Sequence, residues 1–490
     1  MTIGSSINPA AVIRVIGRLV LIEAILLLLP MVISLIYQED DWSVFLIAAA
    51  GAAFAGGLAE ISVKNRGTNV IRNREGFIIT SVIWIIFSLF GMIPFMLCKN
   101  PIGFTDAMFE VISGFTTTGA SVITDVESHS HGILFWRAFT QWIGGLGIIL
   151  FMLAVLPELN KPSGISMFNA EATGITHDKI HPRIRQTALS IWGVYALLTV
   201  VSILLLWAGP MNLFDSVCQT FAAVATGGFS TRNAGIEYWH SDYILAIVSI
   251  VMFIAGMNFI SLYNLRKQGI RSLSENSVFK AFLIVVGVAY LMLLFSLYVR
   301  GEVSSWQQGV LYPVFHIISA ITSTGFSIGE AEGWGPFSLL LTIFLMVCGA
   351  CAGSTSGGIK IDRLLVMKHN FMNEIKKTVF PKRTYVVHLN GSALNNSLVT
   401  RISAFITLYV LVVIISSGFI TMYGFTMTDS VFMVCSCIGC NGLGYGATGV
   451  EGSFAMLPDA VKWLLTVVML VGRLELFTFL VMLLPSFWKR

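Results

Sequence analysis

Ten apolar stretches, each long enough to cross a lipid bilayer, occupy most of this 490-residue chain, and few architectures tolerate them outside a membrane. They run near Val12 to Tyr37, Trp42 to Val63, Phe77 to Leu97, Gly132 to Leu156, Ile184 to Trp207, Tyr243 to Tyr263, Val278 to Val299, Phe337 to Met372, Val399 to Tyr423 and Asp459 to Leu484. A crossing helix needs about 20 such residues. The first stretch is too long for a removable signal peptide and lacks a small-residue cleavage site, so it too is expected to span. Charged residues make up 11% of the chain, against about 25% in soluble domains, which excludes an ordinary soluble enzyme, a disordered tail and a nucleic-acid binder. The expected class is an all-α polytopic membrane protein.

Basic residues sort by alternate loops. Of the 30 Lys and Arg, 24 fall on the side that holds both termini, among them Arg14, Arg18, Lys64, Arg66, Arg72, Arg74, Lys161, Lys179, Arg183 and eight between Lys360 and Arg401. Cytoplasmic loops retain Lys and Arg, so both ends are expected in the cytoplasm. Acidic residues show the opposite bias. A negative outer face concentrates cations, although retention of bases inside accounts for the same asymmetry.

Four shorter semi-apolar segments lie on the outer side between full spans. Aligned, they read DAMFEVISGFTTTGAS from Asp106, DSVCQTFAAVATGGFS from Asp215, YPVFHIISAITSTGFS from Tyr312 and DSVFMVCSCIGCNGLG from Asp429. Each offers about 13 helical residues, roughly 20 Å, which cannot cross a core of about 30 Å. They must dip in and return. The same glycine closes every copy: Gly119, Gly228, Gly325 and Gly442.

Asp at three starts, with Pro313 in the third, suits the first turn of a short helix. The negative end of the helix dipole then lies deep in the membrane, just before the glycine, where left-handed backbone can turn carbonyls toward a common axis. Irregular backbone is tolerated there only along an enclosed or watered path. The expected cation filter comprises Thr117, Thr118, Gly119, Thr226, Gly227, Gly228, Ser323, Thr324, Gly325, Cys440, Asn441 and Gly442. It holds no carboxylate, which suits a monovalent ion that must also leave. In the spans that follow, Gly144, Gly256, Gly349 and Gly472 recur at similar depth and are expected to leave room for a central plug. The run Gly349 to Gly358 breaks a long apolar stretch, as ion-path helices are broken. Its alternative role is small-residue helix packing through Gly353 and Gly357. Arg473 is a charge within a span, and so a functional candidate unless a carboxylate pairs with it.

At these residues, together with QWIGGLGIIL from Gln141, AGMNF from Ala255, GACAGSTSGGIK from Gly349 and GRLELF from Gly472, the chain resembles the Trk/Ktr/HKT superfamily of potassium uptake proteins, most closely the bacterial TrkH type. The resemblance spans the chain. It implies ten transmembrane spans with four re-entrant pore helices in fourfold pseudosymmetric repeats: two leading spans in 1–76, then pore repeats in 77–160, 161–268, 269–380 and 381–490. It also implies potassium as the transported substrate, held at the four glycines, and a homodimer in a bacterial inner membrane. A soluble TrkA-type nucleotide-binding ring would dock on the cytoplasmic face, so the nucleotide belongs to that partner and no cofactor to this chain. The gate would fall on Gly349, Gly353, Ser354, Thr355, Ser356, Gly357, Gly358 and Arg473. Two departures stand out: Leu443 replaces the proline of a G-P-G run, and GSTSGG is less glycine-rich than the usual gating loop.

Competing readings are weaker. A symporter that couples potassium to sodium or protons by alternating access would want a titratable group in the path, and the filter segments carry none. An intramembrane enzyme would need a nucleophile and base at matched depth. GYGATG from Gly444 follows no strand and sits in no dinucleotide-binding unit. Cys98, Cys218, Cys348, Cys351, Cys435, Cys437 and Cys440 all lie in or beside apolar runs and read as small hydrophobes.

Overall fold

The computed structural model describes residues 7–64, 73–147, 184–449 and 453–488. The readings placed on Arg66, Arg72, Lys161, Lys179 and Arg183, on the end of the Gly132 to Leu156 stretch, and on the boundary at 160/161 lie outside these residues.

The chain opens with α1 (Pro9–Leu26) and α2 (Leu28–Ile36), which form one long span with an irregularity at Leu27. Proline at the first helical position needs no hydrogen-bonded N–H, and Asn8 caps the turn by accepting from Ala11 N at 3.2 Å. Two further apolar spans follow, α3 (Trp42–Ser62) and then α4 (Asn73–Gly91) with its extension α5 (Ile93–Leu97). Helices α1 and α3 cross closely because a β-carbon on Gly56 would stand 2.7 Å from Gly17 O. Small residues supply such contacts where apolar burial cannot drive association.

The rest of the bundle repeats a long helix, a short helix and a second long helix. The short helices are α6 (Phe104–Phe115), α9 (Leu213–Val224), α14 (Tyr312–Ile321) and α18 (Met427–Ile438); the helices that follow them are α7 (His131–Gly145), α10 (Asp242–Ala255), α15 (Pro336–Cys348) and α19 (Asp459–Arg473). Their leading spans are α8 (Ile184–Trp207), α13 (Ser277–Arg300) and α17 (Asn396–Thr421); α11 (Phe259–Gln268), α12 (Arg271–Ser274), α16 (Ile361–Val379), α20 (Phe477–Leu483) and α21 (Pro485–Trp488) complete the described helices.

Each short helix packs on the helix that ends the preceding repeat: α6 on α19, α9 on α7, α14 on α10 and α18 on α15. The circuit closes, so the four repeats surround one centre in chain order. Residues Ala107 to Phe115 of α6 are all buried, as are Phe432 to Ile438 of α18. These short helices form the middle of the molecule.

Among the described residues six helices, or up to eight counting bent pairs, are long and apolar enough to cross a membrane. Where straight spans were expected, α10 turns into α11 by 101° and α19 into α20 by 115°. The stretch from Phe337 to Met372 divides into α15 and α16, with no helix between Gly349 and Lys360. The capping expectation also shifts. Asp215 and Asp429 are third residues of their helices, and Asn212 and Thr426 are the caps, accepting from Asp215 N at 2.7 Å and Asp429 N at 3.1 Å. One antiparallel hairpin, His388–Leu389 with Ser392–Ala393, turns on Asn390 and Gly391, both at positive φ.

Candidate functional site

The four short helices end in one shared backbone motif. Two residues past the helix, Thr117 N bonds Gly114 O (2.9 Å) and Thr118 N bonds Ser113 O (2.8 Å). The same pair of bonds recurs from Thr226 and Gly227, from Ser323 and Thr324, and from Cys440 and Asn441. This is the Schellman stop, whose left-handed position is normally glycine. Here it is Thr117, Thr226, Ser323 and Cys440, at φ 56°, 53°, 54° and 50°. Side chains at such angles cost free energy and concentrate at functional sites.

The repeat-closing glycines, expected as the filter, come two residues later, at φ 84° for Gly119, 78° for Gly228, 80° for Gly325 and 75° for Gly442. The intervening Thr118, Gly227, Thr324 and Asn441 are not left-handed. Successive peptides of alternating handedness point their carbonyls to one side, as ordinary strand peptides do not.

Each filter glycine backs onto the next repeat. A β-carbon on Gly119 would stand 2.0 Å from Gly227 O, on Gly228 2.1 Å from Thr324 O, on Gly325 1.7 Å from Asn441 O, and on Gly442 2.1 Å from Thr118 O. The four carbonyls occupy the same position in the four repeats and the circuit closes. Eight of the twelve expected filter residues therefore meet in one ring, with Thr117, Thr226, Ser323 and Cys440 each next in the chain to it, and nothing larger than hydrogen fits at its glycines.

Side chains behind the ring hold it. Gln141 Nε2 donates to Gly227 O (2.6 Å) and its Oε1 accepts from Phe229 N (3.2 Å). Buried Glu110 pairs with buried Arg137 at 2.6 Å and accepts from Val122 N, while Arg137 donates to Ser230 O at 2.8 Å. Ser319 donates to Phe326 O and Ser436 to Leu443 O, both at 2.7 Å. The turn with Leu443 in place of proline is thus tied to its own short helix. Sequence reasoning gave Gln141 no role of its own and did not foresee that Arg137 is buried against Glu110. The available signal was the fifth residue of each repeat: Glu110, Gln219 and His316 are polar, and only Met433 is not.

The loop after α15 reaches the left-handed residues of this ring. Its neck is closed by Ile359 N to Val347 O (3.0 Å), Lys360 N to Cys348 O (2.9 Å) and Ile361 N to Ala350 O (3.0 Å). Thr226 Oγ1 donates to Thr355 Oγ1 at 3.2 Å, and Gly357 N donates to Ser323 Oγ at 2.6 Å. Gly353 O accepts from Phe259 N (3.0 Å), and the Ser354 and Ser356 hydroxyls bond each other at 2.9 Å. A β-carbon on Gly349 would stand 2.3 Å from Gly357 O, and one on Gly358 2.9 Å from Gly349 Cα, which packs the two ends of the loop together. Arg473 arrives from the fourth repeat and donates to Thr355 O (3.0 Å), Thr117 Oγ1 (3.3 Å) and Gly145 O (2.9 Å). Glu475 instead bonds Arg363 at 2.6 Å.

Two of the glycines read as room for a plug have another contact. A β-carbon on Gly144 would stand 1.9 Å from Phe115 O, and on Gly472 2.2 Å from Ile438 O. Both let a following helix touch the carbonyl end of its own short helix. Gly256 faces the side chains of Thr322 and of Ala350 in the loop, and Gly349 the loop's own Gly357 carbonyl, so at these two positions the loop takes up the room.

On the other face of the ring lies a cavity of about 680 Å³, bordered by all four filter glycines and by the chains leaving them, with no residue of 349–358 in its wall. Toward its rim, Asp215 pairs with Arg232 at 2.8 Å, and elsewhere Asp106 pairs with Lys462 at 2.6 Å. Among the described residues no three His, Cys, Asp or Glu converge as ligands for a resident metal. The seven cysteines are buried and unpaired by disulfides.

Comparison with known proteins gives a consistent result. The TrkH family, described as cation transport protein, matches residues 43–490. The chain is 33% identical over 485 residues to the Trk system potassium uptake protein TrkH of Escherichia coli K12, covering 98% of this chain and 99% of that one. TrkH of Halomonas elongata is 32% identical over 490 residues. The crystal structure of the potassium transporter TrkH from Vibrio parahaemolyticus superposes with a TM-score of 0.89 at 30% identity, covering 99% of this chain and 100% of that chain.

Proposed function

The chain belongs to the TrkH family of cation transport proteins, and on that premise we propose that it takes potassium into a bacterial cell through the ring at Gly119, Gly228, Gly325 and Gly442. The observation that carries this reading is the closed circuit of four glycines against four equivalent carbonyls. Turns that carry uncharged backbone oxygens and no carboxylate replace an ion's hydration shell without trapping it. The relatives' names as potassium uptake proteins support the choice of ion. Entry is downhill: an interior-negative potential favours each inward cation by about 2.3 kcal/mol per 100 mV.

In this proposal the loop Gly349 to Gly358 and Arg473 form the gate. Supporting it are the hydrogen bonds of Thr355, Gly357 and Arg473 to filter residues of three repeats. A guanidinium beside the ring opposes a passing cation, and the hydroxyls it and the loop engage are unavailable to one. The protein works as a homodimer with both termini in the cytoplasm, where a TrkA-type nucleotide-binding ring engages it and sets the position of the loop.

The test is ion flux in liposomes holding the full chain, under a potassium gradient and then a sodium gradient, with and without an imposed voltage. Potassium flux should exceed sodium flux and follow the voltage. Gly119→Ser and Gly442→Ser should each reduce the discrimination. Unchanged discrimination in both variants would refute the filter assignment.

A further inference from the structure

One buried cation at the loop has no part in the mechanism above. Lys360, 3% exposed, closes the loop's neck through its backbone bond to Cys348 O. Its φ is 80°, a left-handed angle that a lysine adopts only when its surroundings impose it. The neck bonds on both sides of it do so. From that position the side chain folds back over the loop, and Nζ donates to the carbonyl of Ser356 and approaches its hydroxyl at 3.3 Å.

The preceding peptide carbonyl, that of Thr355, is the one that receives Arg473 at 3.0 Å. Two consecutive loop carbonyls therefore each hold a cation, one from the loop's own neck and one from the fourth repeat. Arg473, Glu475, Arg363 and Asp362 all lie close enough to Lys360 to act on its charge. Glu475 is already committed to Arg363 at 2.6 Å. Three cations against two carboxylates leave an excess of positive charge beside the ring, and an ionisable side chain in such a setting is by default a functional candidate.

We propose that Lys360 is a second charge of the gate: fastened to Ser356, its ammonium keeps positive charge on the loop and repels the ion while the loop lies against the ring. The inference rests on the reading of Gly349 to Gly358 as a gate. Lys360 and the loop share one zipped neck, so they withdraw together, whereas Arg473 belongs to another helix. Opening then separates two like charges, and closing requires both to be brought to adjacent carbonyls.

Potassium flux into liposomes holding equal amounts of the full chain tests it, with wild type, Lys360→Met, Lys360→Arg and Arg473→Ala compared in the absence of any partner. Lys360→Met should raise flux by about five-fold or more, the lower end of ordinary coupling effects. Lys360→Arg should stay within about two-fold of wild type, since charge rather than shape is kept. A merely structural lysine would give the reverse, with both variants equal or both less active. Should Lys360→Met fold poorly, Lys360→Cys treated with an aminoethyl or a neutral thiol reagent replaces it, and only the aminoethyl adduct should restore low flux. Raised flux in Arg473→Ala with no rise in Lys360→Met overturns this inference alone. No rise in either variant overturns the gate reading beneath it.

Discussion

Gly325→Ala is the sharpest perturbation of the ring, because its added carbon would stand 1.7 Å from Asn441 O where ordinary contact begins at 3.4 Å. One of the two must give way by about 1.7 Å. The alanine also has to hold a left-handed φ of 80°, which costs about 1–2 kcal/mol. That strain is small against a total stability of about 5–15 kcal/mol, so the variant should fold. The ring has less tolerance, since Asn441 is itself tied to Ala320 O by its side chain at 2.8 Å. If about 1.4 kcal/mol of the cost appears as lost preference for the fitting ion, discrimination falls about ten-fold. The assay is the potassium-to-sodium flux ratio in liposomes, with Gly287→Ala as control. Gly287 lies in α13 with nothing near its added carbon, and its variant should behave as wild type. A Gly325→Ala ratio within two-fold of wild type, with a folded protein, would refute the claim that this glycine and the Asn441 carbonyl belong to one filter.

Gln141→Leu removes the donor to Gly227 O and the acceptor of Phe229 N; leaving those buried groups unpaired costs about 1–3 kcal/mol, seen as a lower midpoint of thermal unfolding together with a reduced ion ratio. Glu110→Gln leaves the Arg137 guanidinium without its carboxylate in a site where both side chains are nearly inaccessible. Breaking such a pair costs about 3–5 kcal/mol, so the variant should be recovered poorly in folded form, and normal recovery with an unchanged unfolding midpoint would contradict the pairing.

Much of this was legible because it repeats. One glycine-rich turn proves nothing, but four in one register imply a common centre for Gly119, Gly228, Gly325 and Gly442, and the structure closes that circuit. Less legible was where helices bend. Gly256 and Gly472 were visible as small residues, yet what they serve depends on the partner carbonyls and side chains of other segments, Thr322 for the first and Ile438 for the second. Hydropathy sees α10 with α11, or α19 with α20, as continuous apolar runs because a bend changes direction without changing composition. The burial of Arg137 was hidden for a related reason. Its partner Glu110 lies 27 positions away on α6, and an ion pair between helices leaves no periodic trace. The hairpin at Asn390 and Gly391 could have been read from the Asn-Gly step alone.

A single chain also allows what four identical subunits would forbid, corners that differ. In the first and third repeats a threonine pair braces the filter: Thr116 with Thr118, and Thr322 with Thr324, hydroxyl to hydroxyl at 2.8 Å in both. The matching pairs in the second and fourth repeats are Ala225 with Gly227 and Gly439 with Asn441, which cannot form that bond. Those corners borrow support from neighbours instead, Gly227 from Gln141 of the first repeat and Asn441 from Ala320 of the third. The ring is thus fourfold in backbone and nearly twofold in bracing. The loop's contacts follow neither symmetry: through Thr355 and Gly357 it engages Thr226 and Ser323, while Arg473 takes Thr117. An element that enters from one repeat must meet unequal corners, and this chain meets them with a hydroxyl, a backbone N–H and a guanidinium, each suited to the oxygen it finds. On the proposed reading, gate and filter are one hydrogen-bonded unit, so in the liposome flux assay a substitution at Thr226 or Ser323 should alter both opening and ion preference, whereas one at Thr118, whose hydroxyl is bound to Thr116, should alter ion preference with far less effect on opening.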